Sequence, residues 1–287
     1  MARLDIDGLE LAYSDEGRGD PLQLVHGSAS DQRTWEGQRG EFARHFRVVA
    51  FSRRYHWPNP PIPPDAQYTM REQLEDLKRV PRVLGIDSAH FVGHSYGAFL
   101  CLLLAIESPA LVRTLVLAEP PVITLLTSNA PTPLELVKLA LTRPRTLAAI
   151  VRFGLKGVAP ARRAIADGRI EEGNRIFGDA VLGAGGFAGL SEARRQQVLD
   201  NGSNAAAELL GPGFEPLTAA QVRSVTAPVL LAGGDRSVAL FARLLDRLEE
   251  LLPDADRIVI PRAGHILHED NSPAFNDAVM TFLERCA

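Results

Sequence analysis

The stretch Phe91-Val92-Gly93-His94-Ser95-Tyr96-Gly97 constrains the fold of this chain more than any other. It reads as a short buried strand, a sharp turn and the start of a helix. A serine in such a turn stands clear of the backbone, but the turn brings neighbouring chain very close. Glycine two places before and two places after the serine removes the Cβ atoms that would collide. The helix that follows directs its positive end at the hydroxyl. A Gly-x-Ser-x-Gly triplet arises by chance in about one chain in ten of this length, so its meaning depends on partners elsewhere in the chain.

Eight strand-like runs can be read at residues 3–7, 9–14, 22–25, 46–51, 89–93, 113–118, 227–232 and 256–261. The first two flank Gly8 and form an antiparallel hairpin. The later runs are continuously apolar, as suits a parallel sheet covered on both faces. Helical patterns lie between them: one carries Trp35 and Phe42, and another spans 95–107. A third starts at Thr69, with Glu72 completing a capping box, and runs to about 84 unless Pro81 kinks it or ends it early. The proline-rich stretch Pro58–Pro64 excludes a helix or a central strand. The fold class is α/β, a doubly wound, mostly parallel, eight-stranded sheet. Right-handed crossovers place the carboxyl ends of its parallel strands on one edge, where ligands bind.

The alternation stops at Glu119-Pro120-Pro121 and resumes near Arg223. The intervening residues read as helices at 133–141, 147–153, 162–166, 171–182 and 191–210, with a glycine-rich bend at Gly183–Gly189. Because this insertion begins and ends at strand termini on the active edge, it reads as a helical cap over residues 120–222. Residues 1–119 and 223–287 then form the core.

The net charge is -4, from 31 basic and 35 acidic residues, with no basic patch, so nucleic acid is not an expected partner. The pairs Arg53-Arg54 and Arg194-Arg195 read as solvated faces. The N-terminus has no apolar core of a signal peptide, and the longest apolar run, Phe99–Ile106, is too short to span a bilayer. No membrane association is expected. Two cysteines, Cys101 and Cys286, are too few for a disulfide framework. Cys101 reads as a buried thiol in a reducing, cytoplasmic setting, with a Cys101–Cys286 bridge as the lesser alternative. No strand-linked phosphate-binding glycine motif is present. His265 and His268 stand three apart without a third ligand, so neither cofactor nor metal is expected, and His268 reads as exposed or hydrogen-bonded. Nothing in the sequence sets the oligomeric state.

A nucleophilic serine needs a base, an acid that orients the base, and donors for an oxyanion. His265 follows the last strand and so reaches the same edge as Ser95. His26-Gly27 ends another strand there and can offer a backbone N–H beside that of Tyr96. In Leu24-Val25-His26-Gly27, the Ser52-Arg53-Arg54-Tyr55 turn, Gly93-His94-Ser95-Tyr96-Gly97 and Pro261-Arg262-Ala263-Gly264-His265, the chain resembles the α/β-hydrolase fold superfamily, of the capped serine esterase and lactonase kind. The resemblance runs over nearly the whole length, and over the cap in placement only. It implies Ser95 as nucleophile, His265 as general base, and the amides of Ser28 and Tyr96 as the oxyanion hole.

The chain departs from the family pattern twice. The turn after the fourth strand, usually Asp-x-Arg-Gly-x-Gly, is Ser-Arg-Arg-Tyr-His-Trp-Pro; its Tyr55 and Trp57 either lean toward the pocket or pack on the prolines. The usual acid slot, Gly-x-x-Asp after the strand that follows the cap, holds Arg236 or Ser237, and Asp235 is one or two residues out of register. A second layout within the superfamily puts the acid after the strand preceding the cap, where Glu119 stands. Glu119 is therefore assigned as the orienting acid, with Asp235 as the alternative. His26 reads as fastening the oxyanion loop, His94 as packed beside the serine turn, and Asp31 as a helix N-cap.

The expected reaction is hydrolysis of an ester, thioester or lactone through an acyl-serine. The leucine, alanine and phenylalanine content of the cap suggests an apolar pocket for a small to medium substrate. Relatives that act as haloalkane dehalogenases or epoxide hydrolases use a carboxylate at the nucleophile slot, so Ser95 argues against their chemistry. Two alternatives stay open: carbon–carbon bond hydrolysis of a diketone by the same triad, and a ligand-binding receptor or sensor on a hydrolase scaffold.

Overall fold

A computed structural model describes residues 2–286. Eight strands form one sheet: β1 (Ala2–Ile6), β2 (Leu9–Glu16), β3 (Pro21–Val25), β4 (Arg47–Phe51), β5 (Ala89–His94), β6 (Val112–Ala118), β7 (Val229–Gly234) and β8 (Ala255–Ile260), in the order β1-β2-β4-β3-β5-β6-β7-β8. β2 pairs antiparallel with β1 and β4, and every other pairing is parallel. The eight-stranded, mostly parallel sheet expected from the sequence is therefore present.

Central strands are mostly buried and edge strands are not. All six residues of β5 are buried, whereas β8 buries only its last, Ile260. Side chains alternate between two apolar layers, as the strand period of two requires. Phe91, Leu115, Leu117 and Leu231 face one layer; Val92, Val116, Ala118 and Leu230 face the other. Helices α1 (Glu36–Phe42), α2 (Met70–Val83) and α3 (Tyr96–Glu107) follow β3, the β4 loop and β5. The Thr69–Glu72 capping box forms as expected. Pro81 lies inside α2 without ending it early, because only two residues follow it in the helix.

Between β6 and β7 the described residues contain no strand. They form α4 (Pro133–Thr142), α5 (Pro144–Phe153), α6 (Ala159–Ala166), α7 (Ile170–Leu182), α8 (Glu192–Asp200), α9 (Gly202–Leu210) and α10 (Ala219–Arg223). The single helix expected over 191–210 is two, α8 and α9. The break falls at Asn201, whose side chain reaches the sheet domain: its amide donates to Asp31 Oδ2 at 2.8 Å and its carbonyl accepts from Trp57 N at 2.9 Å. α11 (Ala239–Glu249), α12 (Leu267–Asp270) and α13 (Ser272–Arg285) complete the chain. Both cysteines are free thiols, Cys101 buried and Cys286 half-buried. No helix of the described residues is long and apolar enough to cross a membrane.

Candidate active site

The chain runs from β3 to β4 on one side and crosses to β5 on the other, so the loops after β3 and β5 diverge at their carboxyl ends. Such a switch point opens a crevice at the sheet edge. Ser95 sits there with φ 51° and ψ -119°, in the left-handed half of the map that a residue with a Cβ occupies only under constraint. The constraint is close packing. A Cβ on Gly97 would lie 2.3 Å from Val25 O and 2.4 Å from His26 O, and one on Gly93 would lie 2.6 Å from Ala98 Cα. Both glycines are required for β3, β5 and α3 to meet.

His265 follows β8 and is buried. Its Nδ1 lies 2.7 Å from Glu119 Oε2, and its ring stacks on Phe241 with centroids 4.0 Å apart. The residue before Ser95 ties this histidine to the serine turn, since His94 Nε2–H donates to His265 O at 2.8 Å. With Nδ1 engaged by a carboxylate, Nε2 is the ring nitrogen left for proton transfer.

Glu119 is 1% exposed and directly follows β6. Its backbone has φ 48°, pinned where its N–H donates to Ala232 O of β7 at 3.1 Å. Its second oxygen, Oε1, accepts from Gly234 N at 2.9 Å. One oxygen thus takes the imidazole and the other a backbone amide, which fixes the carboxylate plane. Asp235 does something else. It is exposed, and its Oδ1 accepts from Ala263 N at 3.0 Å, holding the turn that leads to His265.

Tyr96 opens α3, so its N–H has no partner within the helix. The loop of Gly27 and Ser28 lies against the serine turn, and a Cβ on Gly27 would come 3.1 Å from Ser95 Cβ. The structure therefore brings Ser28, Ser95, Tyr96, Glu119 and His265 to one edge.

The other histidines buried around this edge are held by neighbouring groups. His26 Nε2 accepts from Arg53 N at 2.9 Å, which leaves its Nδ1–H to donate to Gly27 O at 2.9 Å. His26, His94 and His268 are held well below the ordinary imidazole range, in each case chiefly by burial, and stay neutral at pH 7. Of the two readings of His268, the hydrogen-bonded one applies, with Nε2 2.9 Å from Thr34 Oγ1. Asp31 caps the turn that precedes α1, accepting from Arg33 N at 3.0 Å. No group of three or more His, Cys, Asp or Glu side chains among the described residues is arranged to hold a metal ion.

One expectation is overturned. Arg53 and Arg54 are not a solvated face. Arg53 is 3% exposed and ion-paired with Glu208 of α9 at 3.1 Å, and Arg54 binds Asp76 through Nε at 2.6 Å. Arg194 is also buried, while Arg195 is exposed. Adjacent arginines say nothing about a carboxylate far along the chain. The available signal was Glu208 itself, one charge within the otherwise apolar run Ala205–Leu210. Burial raises the pKa of Glu208, but Arg53, His56 and the Ser28 hydroxyl outweigh it and bring it to about 2. Tyr55 packs toward Tyr68, with centroids 6.0 Å apart, and Trp57 lies under the Arg33 guanidinium at 3.7 Å. A crevice of about 460 Å³ opens elsewhere, between the root of α4 and the 216–218 segment; Ser95, Glu119 and His265 do not line it.

A serine at positive φ and a buried carboxylate–imidazole pair stand at one edge of the sheet, and comparison with known proteins shows the family. Residues 24–278 match the model of the alpha/beta hydrolase family, and the chain belongs to that family. Epoxide hydrolase 3 of Mus musculus is 35% identical over 116 residues, which are 40% of this chain and 32% of that protein, so the match spans about a third of the relative. The 2-(acetamidomethylene)succinate hydrolase of Mesorhizobium japonicum is 24% identical over 298 residues, covering 98% of this chain and 94% of the relative. The solved structure of carboxylesterase CesB from Bacillus subtilis superimposes with a TM-score of 0.72 at 20% identity, over 98% of this chain and 90% of that one, which shows a common fold.

Proposed function

We propose that this hydrolase cleaves a carboxylic ester, thioester or lactone of a small to medium apolar compound through an acyl-serine. The observation that supports this most is the buried Glu119–His265 pair at 2.7 Å, tied through His94 to the turn that carries Ser95. In this reading Ser95 Oγ attacks the carbonyl carbon while His265 Nε2 takes its proton. Glu119 holds the Nδ1–H tautomer and stabilises the imidazolium. The N–H groups of Ser28 and Tyr96 receive the oxyanion. His265 then returns the proton to the leaving oxygen or sulfur, and water, deprotonated by the same nitrogen, releases the acid and frees Ser95. Residues 120–222 act as a cap over this edge, seated on the core by Asn201–Asp31 and Arg33–Asp200 at 2.8 and 2.7 Å. A small-molecule substrate and a cytoplasmic setting complete the reading.

The test is a substrate panel: short-chain p-nitrophenyl esters, a γ-lactone and a vinylogous 1,5-diketone, each with wild type and Ser95→Ala. The proposal expects turnover of the esters or the lactone, lowered by about 10⁴-fold or more in Ser95→Ala. Turnover of the diketone alone would reassign the reaction to carbon–carbon hydrolysis. Full activity in Ser95→Ala would reject the nucleophile.

A further inference from the structure

The Gly27–Ser28 peptide is held from the side opposite to the one it would use in catalysis. Gly27 O accepts two hydrogen bonds, from Arg53 Nη2 at 2.9 Å and from His26 Nδ1–H at 2.9 Å. In a trans peptide the C=O and the following N–H point in opposite directions. Fixing Gly27 O therefore fixes the Ser28 N–H. A cation on the carbonyl also draws electron density out of the amide, so the same N–H becomes a stronger donor.

Arg53 also contacts the side chain of the residue that carries the second amide. Its guanidinium lies over the Tyr96 ring, 4.6 Å from the centroid. It donates to Gln73 Oε1, and Gln73 Nε2 donates to Tyr96 OH at 3.2 Å. The guanidinium is itself aligned from the helical insertion. Nη1 and Nη2 each donate to Glu208 Oε1 at 3.1 Å, and that oxygen also lies 3.4 Å from Tyr68 OH. Arg53 is buried, so it has no water shell to replace these partners.

We propose that Arg53 is a positioning residue for the oxyanion site, orienting the Ser28 and Tyr96 amides, and that Glu208 makes this alignment depend on the insertion being seated. The inference rests on the serine-hydrolase reading above. A lysine at 53 would keep the charge but lose the planar fork that serves Gly27, Gln73 and Glu208 together.

The experiment measures kcat and KM on a p-nitrophenyl ester for wild type, Arg53→Gln, Arg53→Lys and Glu208→Gln. It adds inhibition by a trifluoromethyl ketone, which forms an oxyanion on Ser95, and by the matching methylene compound, which forms none. Arg53→Gln should lower kcat by about 10- to 100-fold with KM changed less than about threefold, and Arg53→Lys and Glu208→Gln should lose about three- to tenfold. The ketone should weaken in step with kcat/KM while the methylene compound binds as before. If Arg53→Gln does not fold, the double variant Arg53→Met with Glu208→Leu removes both charges and carries the same readout. Arg53→Gln or that double variant, folded and within twofold of wild-type kcat, would overturn the inference. So would equal loss of both inhibitors, since that marks a general disturbance. A wild type that cleaves no ester and leaves Ser95 unlabelled by a fluorophosphonate would overturn the serine-hydrolase reading, and the inference with it. Labelled Ser95 together with unaffected Arg53 variants would overturn the inference alone.

Discussion

β6 and β7 lie side by side, and each ends in a carboxylate at the same edge, Glu119 after one and Asp235 after the other. The two could hardly be employed more differently. Glu119 is buried, sits in a left-handed backbone conformation, and gives one oxygen to His265 and the other to Gly234 N. Asp235 is exposed and caps the turn at Ala263, two residues before His265. One carboxylate addresses the ring and the other the backbone that carries it. Proximity to a histidine therefore does not identify its partner. What matters is which hydrogen-bonding group the carboxylate meets and how much water it has lost.

The largest way to break this comparison is to neutralise each acid in turn. Glu119→Gln should lower kcat by about 10³- to 10⁴-fold with KM little changed, because the wrong tautomer is then favoured and the imidazolium loses its partner. Asp235→Asn should stay within about fivefold in the same steady-state assay, since it removes only the charge from an exposed turn whose acceptor oxygen the asparagine keeps. The reverse ranking would exchange the two roles.

The next effect concerns what keeps β7 close to the histidine loop. A Cβ on Gly234 would lie 2.3 Å from Ala263 O and 2.5 Å from Gly264 O. Gly234→Ala should therefore cost about 1–3 kcal/mol in denaturant unfolding. Because it displaces His265, it should also lower kcat by about 10²-fold. A smaller effect sharpens the structural role of Asp235. The Arg262 and Ala263 backbone amides, with Arg236 nearby, hold its pKa below the ordinary carboxylate value. The stability it contributes is fully present above its unfolded value of about 3.9 and is lost as pH falls through the lower folded one. Wild type and Asp235→Asn should differ in Tm near pH 6 and converge as the pH falls below the ordinary carboxylate value and through the lowered folded one. Smallest of all, the effects of Glu119→Gln and Asp235→Asn on log kcat should add in the double variant, as expected of groups that share no partner. Strong coupling would mean that both act on His265.

The sheet could be read from the chain because a parallel sheet buried on both faces demands strands with an apolar centre, and Phe91–Val92, Leu115–Ala118 and Val229–Ala232 supply it. The serine turn could be read because only glycine fits at 93 and 97, a local steric requirement. The place of Glu119 was marked by the apolar run before it, whereas its separation from His265 is a property of the folded edge. The less legible features depend on long-range partners. The split between α8 and α9 follows from Asn201 reaching Asp31 and Trp57, and helical periodicity through 191–210 carries no trace of that. Arg53 looked like surface because its carboxylate partner is 155 positions away.

The most direct test is to trap the covalent intermediate. Wild-type enzyme is mixed with a slowly deacylated p-nitrophenyl ester and quenched in acid within the first turnover, and its intact mass and proteolytic peptides are measured. The account predicts a burst of one p-nitrophenolate per chain and one acyl group on Ser95. Continued hydrolysis with no adduct, or with the acyl group on another residue, would contradict it.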